Sequence, residues 1–475
     1  MSQNRSVHQE QSWRNIPKSS RLPSYAAAAA LRRQQEEEEE TQRYTQDPPT
    51  EMELIQLRMV LPQGLDVTRP FDVISRTKRV WITRPSMDAI DIHAESIKAL
   101  REALEDVNWA THYASESQRK SVRKVLAQAP IQASDQARIS LLALRPQVRD
   151  PANSSTSLTA AASYTAASLA SEFVATTDAV LGSTKELDMK ISFGHLRLPE
   201  TQFSHSRSMG YKDLGRLLRI CSQRGAGASD FEARFTEPFR AEILLRHMLD
   251  KESGVCHFPE LARDACSLNF EADGLVLSAD VVGPATSQPQ LAGVRVIETE
   301  PGCRLGVIMA TPDMKHDWSL EVRASDQKDV PDDLEKMVMK LKLRPARREQ
   351  AHEVLRQPSV MPFNLGDFGR KVTETRLRTS AIVPWKSTSY LVEIGITTAW
   401  KGADMRSKSS MYWDVQFYGK QWESAINRAK PGGQRKDWGD GLGEIWPGEA
   451  ESLTDRFGEF AKELLDLQVM LETSH

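Results

Sequence analysis

From Glu186 onward the chain repeats a period-two pattern, and this limits its fold more than any other feature. "ELDMKISFGHLRL" puts Leu187, Met189, Ile191 and Phe193 on one face of an extended segment. Runs of the same kind follow closely: "SLNFEADGLVLSADVV", "GVRVIETE", "RLGVIMAT", "WSLEVRA", "TETRLRTSAIVPW", "YLVEIGITTAW" and "MYWDVQFY". Helices are expected near Lys212–Ser222, over Phe231–Leu249, in "PDDLEKMVMKLKL" and in the C-terminal "LTDRFGEFAKELLDLQVMLE". The last of these sets Phe457, Phe460, Leu464, Leu467 and Leu471 on one stripe. Clustered strands with helices set apart predict an α+β fold, a large antiparallel sheet with flanking helices. "DWSLEV" (Asp317–Val322) and "YWDVQF" (Tyr412–Phe417) both read aromatic-then-alternating, which raises an internal repeat.

The rest divides by composition. Residues 1–50 form a low-complexity tail expected to be disordered, with one solvated helical stretch in "SYAAAAALRRQQEEEEETQRY". Residues 51–150 form a small unit with a basic extension, 151–185 a Ser/Thr/Ala-rich linker whose middle reads as a weak helix through Leu158, Leu169 and Val180, and 186–475 the strand-rich domain. The extension carries Arg119, Lys120, Arg123, Lys124, Arg138, Arg145 and Arg149 against Asp135. Net charge is −3, so any surface for nucleic acid must be local. No run reaches the roughly 18 apolar residues that span a bilayer, so no transmembrane segment is expected. The cysteines Cys221, Cys256, Cys266 and Cys303 are scattered, the usage of a reducing compartment. An intracellular, cytoplasmic protein is expected. The basic, Ser-rich N-terminus leaves mitochondrial import as the alternative.

Motifs of catalysis are missing. There is no G-x-S-x-G, H-E-x-x-H or P-loop. "RGAGAS" (Arg224–Ser229) reads as a turn, and Cys256-His257 with Cys266 is the nearest approach to a metal cluster. His205 and His316 lie beside polar groups with no partner evident in sequence. "PGGQRKDWGDGLGEIWPGE" reads as a long surface loop whose Trp438 and Trp446 pin it to the sheet. "KLKLRPARR" (Lys340–Arg348) follows acidic residues, as a helix with complemented ends does. The expectation is a protein that is not an enzyme and carries no cofactor and no metal.

Attention therefore falls on the small unit. "MELIQLRMVLP" reads as a strand, Asp66 to Arg76 as a short helix, "KRVWIT" and "MDAIDIH" as strands and "AESIKALREALEDV" as a helix. The order is β-α-β-β-α. Positive residues gather at its centre: Arg69, Arg76, Lys78, Arg79 and Arg84, around Trp81. Val80 and Ile82 share one strand face and Trp81 takes the other.

Leu54–Val107 resembles a KH domain. Ile74-Ser75-Arg76-Thr77-Lys78 stands where KH modules carry I-x-x-x-T-G, with Lys78 at the glycine's place, and the GXXG loop that clamps four backbone nucleotides is absent. The overall plan is similar to that of fungal KH-domain-containing proteins. The resemblance implies binding of single-stranded RNA, with Arg69, Arg76, Lys78, Arg79 and Arg84 on phosphates and Trp81 stacking a base. The missing glycines leave a second reading open: a scaffold that keeps the KH-like fold, has lost RNA and binds a protein partner. Neither reading specifies the oligomeric state.

Overall fold

The fold was read from a computed structural model. It describes residues 43–473, apart from 62–67, 87–88, 119–121, 134–136, 143–144, 149–157, 182–185, 199–207, 224–229, 285–287, 300–304, 347–354, 362–364, 428–443 and 448–452. The N-terminal tail up to residue 42, with its leader-like composition, lies outside them. So do His205, "RGAGAS" and Trp438. The chain splits into two compact units, Met1–Ser115 and Glu116–His475, and its class is α+β.

The first unit holds β1 (Ile55–Val60), α1 (Thr68–Lys78), β2 (Trp81–Ser86), β3 (Ala89–Ala94) and most of α2 (Ile97–Gln118), which runs past Ser115. Its sheet runs β1-β3-β2, antiparallel throughout. Period-two spacing turns Ile90, Ile92 and Ala94 to one face, where Phe71 and Ile74 of α1 and Ala103 and Val107 of α2 cover them. Asp91 and His93 turn to the other face. There Arg58 grips Asp91, Nε to Oδ1 at 2.6 Å and Nη2 to Oδ2 at 2.7 Å.

The second unit begins earlier than composition suggests. Its strands are β4 (Val122–Ala127), β5 (Ile139–Leu142), β6 (Arg145–Val148), β7 (Glu186–Arg197), β8 (Asp230–Glu232), β9 (Arg263–Ala272), β10 (Leu275–Val282), β11 (Gln290–Thr299) and β12 (Leu305–Ala310). They continue as β13 (Asp317–Lys328), β14 (Leu343–Arg344), β15 (Ser359–Val360), β16 (Val372–Pro384), β17 (Tyr390–Lys401) and β18 (Ser409–Gly419). Its helices are α3 (Leu158–Leu181), α4 (Tyr211–Gln223), α5 (Phe239–Leu249), α6 (Asp332–Val338), α7 (Gly366–Lys371), α8 (Trp422–Ile426) and α9 (Leu453–Thr473).

Three expectations about boundaries change. The basic extension is no appendage of the first unit: its Val122–Ala127 is β4, parallel to β12 of the second unit. Its Arg145 is buried and bonds Asp317, Nε to Oδ2 at 2.9 Å, so it is a core ion pair and not part of a surface. The Ser/Thr/Ala segment carries the helix its middle suggested, as the 24-residue α3 (Leu158–Leu181). Ala161, Ala162, Ala166 and Leu169 of α3 are buried in the main core, because small side chains let α3 lie close against α9. The helix foreseen from Phe231 starts at Phe239, since Asp230–Glu232 pairs with β7 as β8. Trp446 packs on Phe457 of α9, ring centroids 4.5 Å apart, within the main core.

The strands β13-β11-β10-β9-β16-β17-β18-β7 form an antiparallel ring, because β7 pairs with both β18 and β13. The two strands of the suspected repeat, β13 and β18, thus flank β7. Around the ring the apolar residues point outward. Leu187, Met189, Ile191 and Phe193 join Trp318, Leu320, Val415 and Phe417 beneath α3, α5, α8 and α9. Leu268, Phe270, Leu277 and Val296 form a second outer core with α6. Period two then sends the alternate, polar residues into the ring.

Candidate functional site

The described residues among the six singled out in the first unit do not form one surface. Arg69 lies in α1, and its side chain is outside the described residues. Arg76, Arg79 and Arg84 are exposed. Lys78 is half-buried, with Nζ 3.3 Å from Asp106 Oδ2 of α2, so its charge is partly spent within the fold. Trp81 is fully buried, which corrects its base-stacking role. Tyr44 covers it at 4.7 Å between ring centroids, and the Arg43 guanidinium carbon stands 5.9 Å from the indole centroid. Strand alternation does turn Trp81 away from the α1 side. The chain before β1 then folds across that face.

The glycine-like position also moves by one residue. Arg79, not Lys78, has φ +54°, and the Val80 amide donates to the Ser75 carbonyl at 3.1 Å. That is a Schellman end for α1, with Arg79 in the left-handed place where glycine is preferred.

The polar interior of the ring in the second unit has no counterpart among the residues singled out from sequence. At its centre Arg378 of β16 donates Nη2 to Asp414 Oδ1 of β18 at 2.7 Å, and Nη1 to Glu393 of β17. The guanidinium lies over Gly395, which stands between these strands. A Cβ there would come within 2.6 Å of Arg378 Nη2, so only glycine lets the network form. Tyr418 donates to Glu393 at 3.3 Å, and Lys190 of β7 sits 5.7 Å from the Tyr418 ring centroid and 3.1 Å from Asp188. One register step on, Arg376 bonds Glu271 of β9 at 2.8 Å and also Glu374.

Burial opposes ionisation here and the pairing overrides it. Glu393 is pushed up by burial, yet Arg378 holds it below its ordinary value. Burial likewise works against Arg378, while Asp414 and Glu393 raise it above the usual guanidinium range. Tyr418 is raised by burial and by Glu393. A carboxylate so firmly ionised is a weak general base, so this network suits binding and rigidity better than proton transfer. Toward one end the lumen opens into a cavity of ≈ 550 Å³ lined by Arg376, Glu374, Glu271, Lys401, Lys408 and Ser409. Among the described residues no group of three or more His, Cys, Asp or Glu is placed to hold a metal. Cys256 and Cys266 are buried in separate cores. No described helix is long and apolar enough to cross a membrane.

The sequence carried a signal for this interior. "TETRLR" and "MKIS" place charges on the alternate positions of strands whose first face is apolar. That pattern reads equally as the wet face of an open sheet. Only the β13–β7 pairing, between segments over a hundred residues apart, turns it into a lumen.

No protein-family model and no curated protein matches the chain. Among solved structures it is similar to the S. pombe Pct1 RNA triphosphatase, at 11% identity and a TM-score of 0.34, over 66% of this chain and 93% of that one. The same protein in complex with the Spt5 CTD gives 12% identity, a TM-score of 0.34, and 66% and 92% coverage. A TM-score this low establishes neither fold nor activity.

Proposed function

We propose that the protein binds single-stranded RNA through the surface where α1 ends and β2 begins, as a binding protein and not a catalyst. One observation carries this reading: Arg76, Arg79 and Arg84 stay exposed on the closing turn of α1 and on the edge strand that follows it. The antiparallel order β1-β3-β2 with both helices on one face agrees with the KH resemblance of the sequence. Trp81 and Lys78 leave the contact set, the one buried and the other held by Asp106. Phosphate contact by guanidinium then supplies most of the affinity, and no stacked base is required.

The test is fluorescence anisotropy of a labelled single-stranded RNA with the full chain across a salt series. Three phosphate contacts on a single strand give a log–log salt slope of about −2. Replacing Arg76, Arg79 and Arg84 by Glu abolishes binding, whereas Trp81→Phe leaves affinity unchanged. A wild-type chain that does not bind at low salt, or binds with no salt slope, removes RNA. It leaves a KH-like scaffold for a protein partner.

A further inference from the structure

Outside the barrel lumen, the second unit has a cavity of ≈ 380 Å³ where β7 and β18 part. The segment at β8 fills the gap. It pairs with β7 through His195–Arg197, and Phe235 exchanges backbone hydrogen bonds with Trp413 at 2.9 and 3.0 Å. A Cβ at Gly194 would run into the Glu232 carbonyl, so glycine admits this close crossing.

Four rings make the floor. Phe235 lies 4.7 Å from Trp413 and 5.0 Å from His316, and His316 stacks on His195 at 5.5 Å, all between centroids. Two polar ring atoms of this floor, His195 Nδ1 and Trp413 Nε1, are buried without a hydrogen-bond partner. An orphaned ring nitrogen costs free energy unless something pairs with it. Trp413 is 6% exposed, so bulk water is no ready substitute.

The rim is cationic. Arg197, Arg234 and Arg240 line it against Glu232 and Glu237, with Arg197 bonded to Glu232 and Arg240 to Glu237. Arg234 stands 4.6 Å from the Tyr412 ring centroid. Three guanidiniums against two carboxylates leave one excess positive charge at the entrance. An aromatic floor and a cationic rim suit a ligand with a planar body and an anionic end. The volume lies within the range of small-molecule sites.

We propose that this cavity binds a mononucleotide, with the base against Phe235 and Trp413 and the phosphate at Arg197, Arg234 and Arg240. It is separate from the arginines of the first unit, so either reading can fail without the other.

The experiment is isothermal titration of the full chain with adenosine monophosphate, uridine monophosphate, adenosine and inorganic phosphate. Both nucleotides are expected to bind saturably, and adenosine and phosphate each far more weakly. Arg240→Ala, at the rim, weakens nucleotide binding by about tenfold or more, the loss expected for one charge-assisted hydrogen bond. Arg234→Ala, the second rim arginine, likewise weakens nucleotide binding by about tenfold with the melting temperature held. The triple Glu variant at Arg76, Arg79 and Arg84 binds the nucleotides as the wild type does. No saturable binding up to about 1 mM overturns the proposal. So does equal binding of phosphate or adenosine, or indifference to both cavity substitutions.

Discussion

Arg378→Met tests the idea that the second unit is held open from inside by charge. The guanidinium is the only described cation bonded to both Glu393 and Asp414, whose side chains are 9% and 12% exposed. Methionine preserves most of the stem volume and removes all three hydrogen bonds, including the 3.4 Å bond from Nε to Asp414 Oδ2. Two buried carboxylates then face one another with only the more distant Lys190 charge to offset them. Removing one partner of such a group costs about 3–5 kcal/mol. At about 2.1 cal/mol/K per residue, the unit from Glu116 to His475 has an unfolding entropy of roughly 0.75 kcal/mol/K, so the melting temperature falls by about 4–7 °C. The assay is scanning calorimetry, in which the two units are read as separate transitions where they separate. The triple change Arg378→Met, Glu393→Gln, Asp414→Asn removes the orphaned charge and recovers most of the loss. A single variant within about 1 °C of wild type would show that lumen water already screens the pair. A triple variant no more stable than the single one would refute the electrostatic account as well.

The same network has an acid limit. Glu393 lies below its ordinary 4.5 in the fold, so its contribution is intact above that value and is lost as pH falls below it; the gap in stability between wild type and Arg378→Met therefore narrows under acid in urea titrations. Arg79→Gly relieves a left-handed residue at the end of α1 and stabilises the first unit by about 0.5–1 kcal/mol in denaturant, while weakening RNA binding; a destabilised variant contradicts the Schellman geometry. Cys221, Cys256 and Cys266 are buried, and burial lifts the Cys266 thiol to about 11, so a Cys303→Ser chain shows no thiol reactive to Ellman's reagent at pH 8 until it is unfolded.

Local pattern made the strands and the outer core legible. Leu187, Met189, Ile191 and Phe193 share a buried face as their spacing requires, and the C-terminal stripe from Phe457 to Leu471 is buried. What escaped was decided by partners far away in sequence. Val122–Ala127 looks like a basic coil until β12 supplies hydrogen bonds and Glu321 meets Arg123 at 3.5 Å. The alanines of α3 read as linker because small side chains give little hydrophobic signal, yet small size is what lets two helices pack closely. Trp81 was read as available because alternation does set it opposite Val80. Its burial depends on Tyr44, in a segment that composition assigns to the tail.

The two sets of charges in this chain are not equivalent, and that decides where an anionic ligand fits. In the mid-lumen Arg378 already faces two carboxylates, and Arg376 faces Glu271 and Glu374. A phosphate at Arg378 meets two carboxylates against one guanidinium. It must either repel those carboxylates or displace one, leaving it buried and unpaired at a cost of several kcal/mol. At the end of α1, by contrast, Arg76, Arg79 and Arg84 are open to solvent, and at the β7–β18 gap the rim carries one more guanidinium than carboxylate. Exposed positive charge attracts an anion through the surrounding field. On that ground the network around Arg378 suits a structural role, and the two proposals above look for anions at the exposed arginines that close α1 and at the β7–β18 gap.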